Sequence, residues 1–469
     1  MEKRLCYILF FVFVGLRISA QDSKQYSFFH YGTSGGLSSN EISMTAQDED
    51  GYIWIASNNG LQRFDGSRYI SFRNQKGNPA SIPNNYVQQI LIDKKQNLWL
   101  VTADGKLGIF DRKWFTYEQI KVTIPDTNYL VAARSLYTDL EGHVFLSVFN
   151  NYFLTYNPEK KEFSEAYNFI PFPKGWKMLD IKQQPGTQKY WISRQDGIAV
   201  YNKATGQFSY TGHNVEKEAF IDSMGNIKTP ASLHFDKKGR LWFFHWGPGV
   251  PYIYCFDLIK RKVVLRDSEV HHLVRTYHEV RGFMEQEDGS IWIFGLMMFA
   301  RFLEDEKKFQ LVENGYTSEQ SISYVNLMYL FEDREHNIWA STNNNGIYRF
   351  NPASQFFTNI RHINREAKKF GEGSVMSFVR AKDGSILFGA WGDGTYRYDK
   401  DLKMIPLNIR GFDETVSRYA WSLCASRDSN TIWMGTQPGV YIIDQDKGSS
   451  QYFNPPVMRN VTVRQIVED

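Results

Sequence analysis

Residues 47–72 read QDEDGYIWIASNNGLQRFDGSRYISF, and this stretch decides the fold. Two runs of strand-forming residues, Tyr52–Ser57 and Leu61–Phe64, are parted by Asn58-Asn59-Gly60 and bracketed by Asp50-Gly51 and Asp65-Gly66. Glycine reaches positive φ without a Cβ clash, and Asp or Asn tolerates the same region, so each pair marks a hairpin turn. Ile53-Trp54-Ile55 is apolar on both faces, whereas a strand buried on one side alternates. Such a sheet needs cover on both sides, which a lone hairpin does not supply.

Copies of the same stretch supply it. With the large residue after the turn as a marker, copies fall at Trp54, Trp99, Phe145, Trp191, Trp242, Trp292, Trp339, Leu387 and Trp433, spaced 45 to 51 residues apart. The grammar is visible in DKKQNLWL (Asp93–Leu100), DKKGRLWF (Asp236–Phe243) and DREHNIWA (Asp333–Ala340). A strand-rich, glycine-punctuated unit of this length predicts an all-β fold, a β-propeller whose blades are four-stranded antiparallel sheets. A helical or leucine-rich solenoid is disfavoured, because the units show period-two strands and no amphipathic helical run.

The wording is specific: GLSSN before the first strand, then D-x-x-G-x-[IL]-W-[IL]-[GAS]-[ST], then N-G-[LI]-x-R-[FY]-[DN], best kept at Gly36–Gly66 and Ser321–Pro352. It resembles the two-component regulator propeller repeat. That resemblance implies the extracytoplasmic sensor of a bacterial hybrid two-component system, many of which detect oligosaccharides, and a longer parent in which a second ring, a β-sandwich, a membrane helix and a histidine kinase follow.

Residues 1–20 read as a secretory signal peptide: Lys3 and Arg4, an apolar run from Leu5 to Leu16 too short to span a bilayer, and small residues before Gln21. Export to the periplasm follows, with membrane attachment only through C-terminal parts missing here. The first seven copies make residues 21–357 a seven-bladed ring. The eighth and ninth make residues 358–469 the first blades of a second, truncated propeller, with a single nine-bladed ring as the alternative. Tyr26–Tyr31 (YSFFHY) reads as the outermost strand of a blade whose other strands arrive later, and the sequence leaves open which blade it closes.

Net charge is +3, from 54 basic and 51 acidic residues, with no basic stripe to suggest nucleic acid. Cys255 and Cys424 lie in strand-like runs of different copies and read as buried free thiols. Asp48-x-Asp50-Gly51 opens like a calcium loop, but its twelfth position is Asn59, not Glu. His271-His272 and His278-Glu279 lack zinc-helix spacing, the Gly-x-Gly pairs precede no helix, and no nucleophile elbow appears. No catalytic residue, metal site or cofactor is expected.

On a propeller, connections into the innermost strands and between the second and third strands gather on one face. The candidates there are Arg134, Asn150, Arg194, His245, Trp246, Arg281, Tyr324 and Trp391; the Asn58-Asn59 and Asn343-Asn344-Asn345 runs read as turn formers. Amide, guanidinium and aromatic groups suit a sugar, whose hydroxyls need donors and acceptors while its apolar face stacks on a ring, and arginines suit an acidic one. The expected partners are an oligosaccharide and, through the longer parent, a second copy. A lyase like the streptogramin lyases, or a protein-docking scaffold, is the alternative.

Overall fold

A computed structural model describes residues 26–125, 133–148, 152–247, 250–267, 269–274, 276–316, 320–354, 375–390, 392, 394–400, 402–413, 418–428 and 430–468. The signal-peptide reading of residues 1–20 lies outside them.

In the opening stretch the strands are Ile53–Ser57 and Gly60–Phe64. Gly51 holds φ 90° in the first turn, and Gly60 holds φ 111° where a Cβ would meet the Phe72 carbonyl oxygen at 2.5 Å. The turn is closed by a residue the glycine pattern does not display. Buried Asp48 accepts the amides of Asp50 and Tyr52 on Oδ1 and the Trp54 indole N–H, at 2.7 Å, on Oδ2. Asp93, Asp236 and Asp333 repeat the arrangement with Trp99, Trp242 and Trp339, at 2.9, 2.7 and 2.7 Å. In the fourth and sixth copies Gln184 and Gln286 accept the indole instead.

Each copy is an antiparallel sheet built in chain order from the inside out. The chain divides into two compact units, Met1–Gln355 and Phe356–Asp469. Among the described residues the first holds seven sheets, numbered here by their innermost strands: Ile42–Gln47, Val87–Ile92, Ala133–Thr138, Met178–Gln183, Pro230–Phe235, Glu279–Glu285 and Leu327–Glu332. The seventh sheet takes its outermost strand from the other end of the unit: Phe29–Tyr31 pairs antiparallel with Ile347–Phe350. This closure answers the question the sequence left open.

The marker aromatics link the sheets. Trp54 packs against Val87, Ile90 and Leu98 of the second sheet, while Ile53 and Ile55, on the opposite face, pack against Trp339 of the seventh. Trp99, Phe145, Trp191, Trp242 and Trp292 each face the following sheet in the same way. Second strands such as Ile53–Ser57 and Leu98–Thr102 are therefore buried along their whole length, as the apolar triplet anticipates.

Three features depart from a uniform repeat. The third and fourth sheets have a fifth strand, Lys121–Thr123 (parallel to Glu162–Ser164) and His213–Asn214. Residues 211–228, which fall outside the repeat, hold that second added strand and a short helix, Ala219–Met224, whose Phe220, Ile221 and Met224 pack with Trp191 and Phe243. In the fifth sheet the extra residues lengthen the middle hairpin, with strands Arg240–Gly247 and Val250–Asp257.

The second unit contains, among the described residues, two sheets whose innermost strands are Val375–Arg380 and Ser422–Ala425. Leu387, at the marker position, packs against Ile432, Met434 and Tyr441 of the following sheet.

Candidate functional site

Every innermost strand of the first unit carries a β-bulge near its start. One residue stands out of register between Ile42 and Met44, Val87 and Gln89, Ala133 and Ser135, Met178 and Asp180, Val280 and Gly282, and Leu327 and Tyr329, and two do between Ala231 and His234. A bulge re-aims the side chain it carries. Arg134 and Arg281 are the bulged residues of the third and sixth sheets, and both are exposed. Next to the bulges, side chains tie neighbouring strands: Gln89 exchanges two hydrogen bonds with the Leu136 backbone, and Asp180 accepts the Leu233 amide at 2.8 Å. Burial raises the Asp180 pKa.

Arg194 ends the second strand of the fourth sheet, on the same strand face as Tyr190 and Ile192, which pack toward the third sheet. It is 8% exposed. Its guanidinium carbon lies 3.9 Å from the centroid of Trp176 and 5.4 Å from that of Tyr210. Trp176, from the 170–177 insert, is half-buried and set edge-on against Phe172, Phe208 and Tyr210. Among the described residues the buried Nε of Arg194 has no acceptor, and no carboxylate comes within ion-pair distance of the guanidinium. Burial lowers the Arg194 pKa, with Asp196 and Tyr210 acting in the other direction.

The other expected residues are not gathered around it. His245 is half-buried, its ring stacked on Tyr254 at 5.5 Å. Trp246 lies in the long hairpin, its backbone opposite Pro251 and its side chain outside the described residues. Asn150 and Trp391 also lie outside them. Tyr324 is a correction: 4% exposed, it packs with Phe28, Ile322 and Leu327, so it is a core residue with no ring face to offer a ligand. Trp176 and Tyr210 are not among the residues the sequence singles out; only the folded chain brings them to Arg194.

A cleft of about 1000 Å³ opens elsewhere, between the turns after the innermost and third strands of the first three sheets. Its charges are largely matched internally: Arg112 pairs with Asp48 and Glu49, Lys161 with Glu118 and Lys203 with Glu141. On its wall, Asp139, Glu141 and His143 lie close enough to hold a cation. Asp139, however, already accepts the amides of Glu141, Gly142 and His143 on one oxygen, and His143 Nδ1 and the Tyr190 hydroxyl on the other. The group is a hydrogen-bonded turn with a lysine beside it. Of the paired histidines, His272 is exposed and His278 is buried, its Nδ1 on the Thr276 carbonyl. Arg194 with its aromatic neighbours is thus the candidate site.

Residues 36–59 match the family model described as two component regulator propeller. No curated protein matches the chain. Among solved structures it is similar to the extracellular domain of BT3049 of B. thetaiotaomicron, assigned as a hybrid two component system, at 18% identity and TM-score 0.57, covering 89% of this chain and 59% of that one. It is also similar to the extracellular domain of BT4673 of B. thetaiotaomicron, assigned as a one component system in one structure and a hybrid two component system in another, at 18% identity and TM-scores 0.51 and 0.50, covering 91% of this chain and 54% of that one. The chain spans little more than half of those domains, and the likeness establishes the propeller fold.

Proposed function

We propose that this chain is the ligand-sensing propeller segment of an extracytoplasmic two-component receptor, and that its ligand is an oligosaccharide released from a polysaccharide. The observation that carries the reading is the match of residues 36–59 to the two component regulator propeller, in wording repeated along the chain. The unpaired arginine set among aromatic rings supports a saccharide: a guanidinium donates to sugar oxygens, and rings stack on the apolar face of the pyranose.

In this reading residues 1–20 direct export to the periplasm, and residues 358–469 open a second propeller. The second part is supported by its exposed flank, where Val375, Met376 and Phe378 of the eighth sheet's innermost strand face solvent. Sensing works by differential binding: the ligand favours one arrangement of rings or protomers, and the longer parent, a dimer anchored in the inner membrane, passes that preference to a kinase that controls polysaccharide-use genes. Among the described residues no helix is long and apolar enough to cross a membrane.

The test is thermal unfolding of the chain against a panel of neutral and acidic oligosaccharides, with mass analysis of each sugar afterwards. A rise in melting temperature with the sugar intact is expected, because a ligand bound to the native state stabilises it by mass action. A cleaved sugar transfers the case to a propeller enzyme, and no shift with any sugar rejects the saccharide reading of this segment.

A further inference from the structure

We propose that Arg194 is an oxyanion receptor: it takes the carboxylate or sulfate of an acidic saccharide whose ring lies against the aromatic shelf of Trp176 and Tyr210. The proposal rests on the saccharide-sensor reading above and names the class of sugar.

Arg194 is out of balance with its surroundings. A charge removed from water is normally paired, and a buried N–H is normally bonded. Arg240, in the second strand of the next sheet, shows the ordinary solution: it is 4% exposed, its Nε donates to Asp236 at 2.6 Å, and its terminal nitrogens meet Glu304 at 2.6 and 3.0 Å. Arg194, 8% exposed, has neither among the described residues, and its Nε lacks an acceptor. The face of Trp176 attracts the cation without accepting its in-plane hydrogens, so ring contact leaves the Nε–H without an acceptor.

What is absent is an acceptor in that plane. The guanidinium fork presents parallel N–H bonds matched to the two oxygens of a carboxylate or sulfate, in a setting where the low dielectric strengthens the contact. A phenyl or alkyl ligand would leave the same donors orphaned. The rings fit the remainder of such a ligand, since the C–H face of a pyranose packs on indole or phenol. Unsatisfied buried charge of this kind is kept at binding sites at some loss of stability.

Two experiments on the chain test this. The first needs no ligand: Arg194→Met should melt at the same temperature as wild type or a few degrees higher, because it removes an unpaired buried charge; a fall of several degrees would show Arg194 to be structural and overturn the proposal. The second is calorimetric titration of wild type, Arg194→Met, Arg194→Lys and Trp176→Ala with tetragalacturonate, a sulfated chondroitin disaccharide and neutral cellotetraose. At least one anionic sugar should bind wild type, weaken tenfold or more in Arg194→Met and Trp176→Ala, and recover in part in Arg194→Lys; whichever sugar it is identifies carboxylate or sulfate. Anionic binding unchanged in Arg194→Met, or binding of the neutral sugar alone, overturns the oxyanion assignment and leaves the sensor reading standing. Binding by none of the three, together with a flat response across the wider panel, overturns both.

Discussion

A single carboxylate six positions before the tryptophan closes each of the regular hairpins. Asp93 accepts the amides of Lys95 and Asn97, the Asn97 side chain and the Trp99 indole, all at 2.9 Å. Asp93→Ala strands a buried indole N–H and opens the turn, and the expected loss is about 2–4 kcal/mol, since bonds to a charged acceptor count for more than neutral ones. A urea midpoint that falls with an unchanged m-value would bear this out; a loss below about 0.5 kcal/mol, the size of an ordinary surface change, would refute it. The third copy shows how the same carboxylate is served without a tryptophan. Phe145 has no N–H, and Asp139 instead receives His143 Nδ1 at 2.7 Å and the hydroxyl of Tyr190, from the next sheet, at 2.9 Å. Two results are expected from the same assay. Tyr190→Phe should cost about 1–3 kcal/mol by removing that donor. Phe145→Trp, which restores the repeat's wording, should also destabilise by about 1–3 kcal/mol, because a larger ring enters a packed core and its N–H meets an oxygen already supplied.

Among the elements, the strand that closes the first unit separates pattern from position. Phe28 is 4% exposed and lies 4.5 Å from Phe350, centroid to centroid, whereas its neighbour Phe29 is 63% exposed. Phe28→Ala is therefore expected to cost about 3–5 kcal/mol and Phe29→Ala almost nothing, read as urea midpoints of the two variants. The added edge strand Lys121–Thr123, paired with Glu162–Ser164 and packed through Val122, is also tied by charge. Glu162 accepts from Lys121 Nζ at 2.7 Å, the Thr123 hydroxyl at 2.5 Å and the Tyr167 hydroxyl at 3.0 Å, and these bonds lower its pKa from 4.5 to about 2, the lysine contributing most. A folded pKa below the unfolded one means the attachment is complete above pH 4.5 and is lost as pH falls toward 2. Amide protection at Val122 and Thr123, taken against the intrinsic exchange rate at each pH, should fall across that window in wild type and be lower and independent of pH in Glu162→Gln; wild-type protection that ignores pH would reject the ionic account. These contrasts mark what the sequence makes legible. Period, turns and double-sided strands follow from Gly, Asp and Trp recurring at fixed spacing. The partner of YSFFHY does not, because a strand of alternating aromatics fits any open edge. Nor does the contact of Arg194 with Trp176 and Tyr210, which joins a strand end, an insert and an outer strand that no periodic rule relates, and Tyr324 reads as a loop aromatic until the fold buries it.

For the whole molecule, the eighth sheet treats one register position differently from the sheets of the first unit. In the first unit Ile90 stands opposite Leu100, Leu136 opposite Leu146 and Leu330 opposite Ala340, and each is buried under the marker aromatic of the preceding sheet, Trp54, Trp99 and Trp292. In the eighth sheet Phe378 stands opposite Phe388 in the same register, 74% exposed, with Val375 and Met376 exposed on the same strand. On the second-propeller reading proposed above, this exposed strand is where a further blade would pack. Substitution at equivalent positions should then have unequal effects. Leu330→Ser removes a core side chain and leaves a hydroxyl among aromatics, so the first unit should lose at least the ~2–5 kcal/mol typical of a buried leucine. Phe378→Ser buries nothing and uncovers nothing, so calorimetry should find the unfolding of the second unit unmoved, while sedimentation velocity should find less self-association than in wild type, in which that flank is free to pair. Should Phe378→Ser lower the thermal transition as far as Leu330→Ser does, the flank is already packed in solution, and the second unit is a finished body with no place for a further blade.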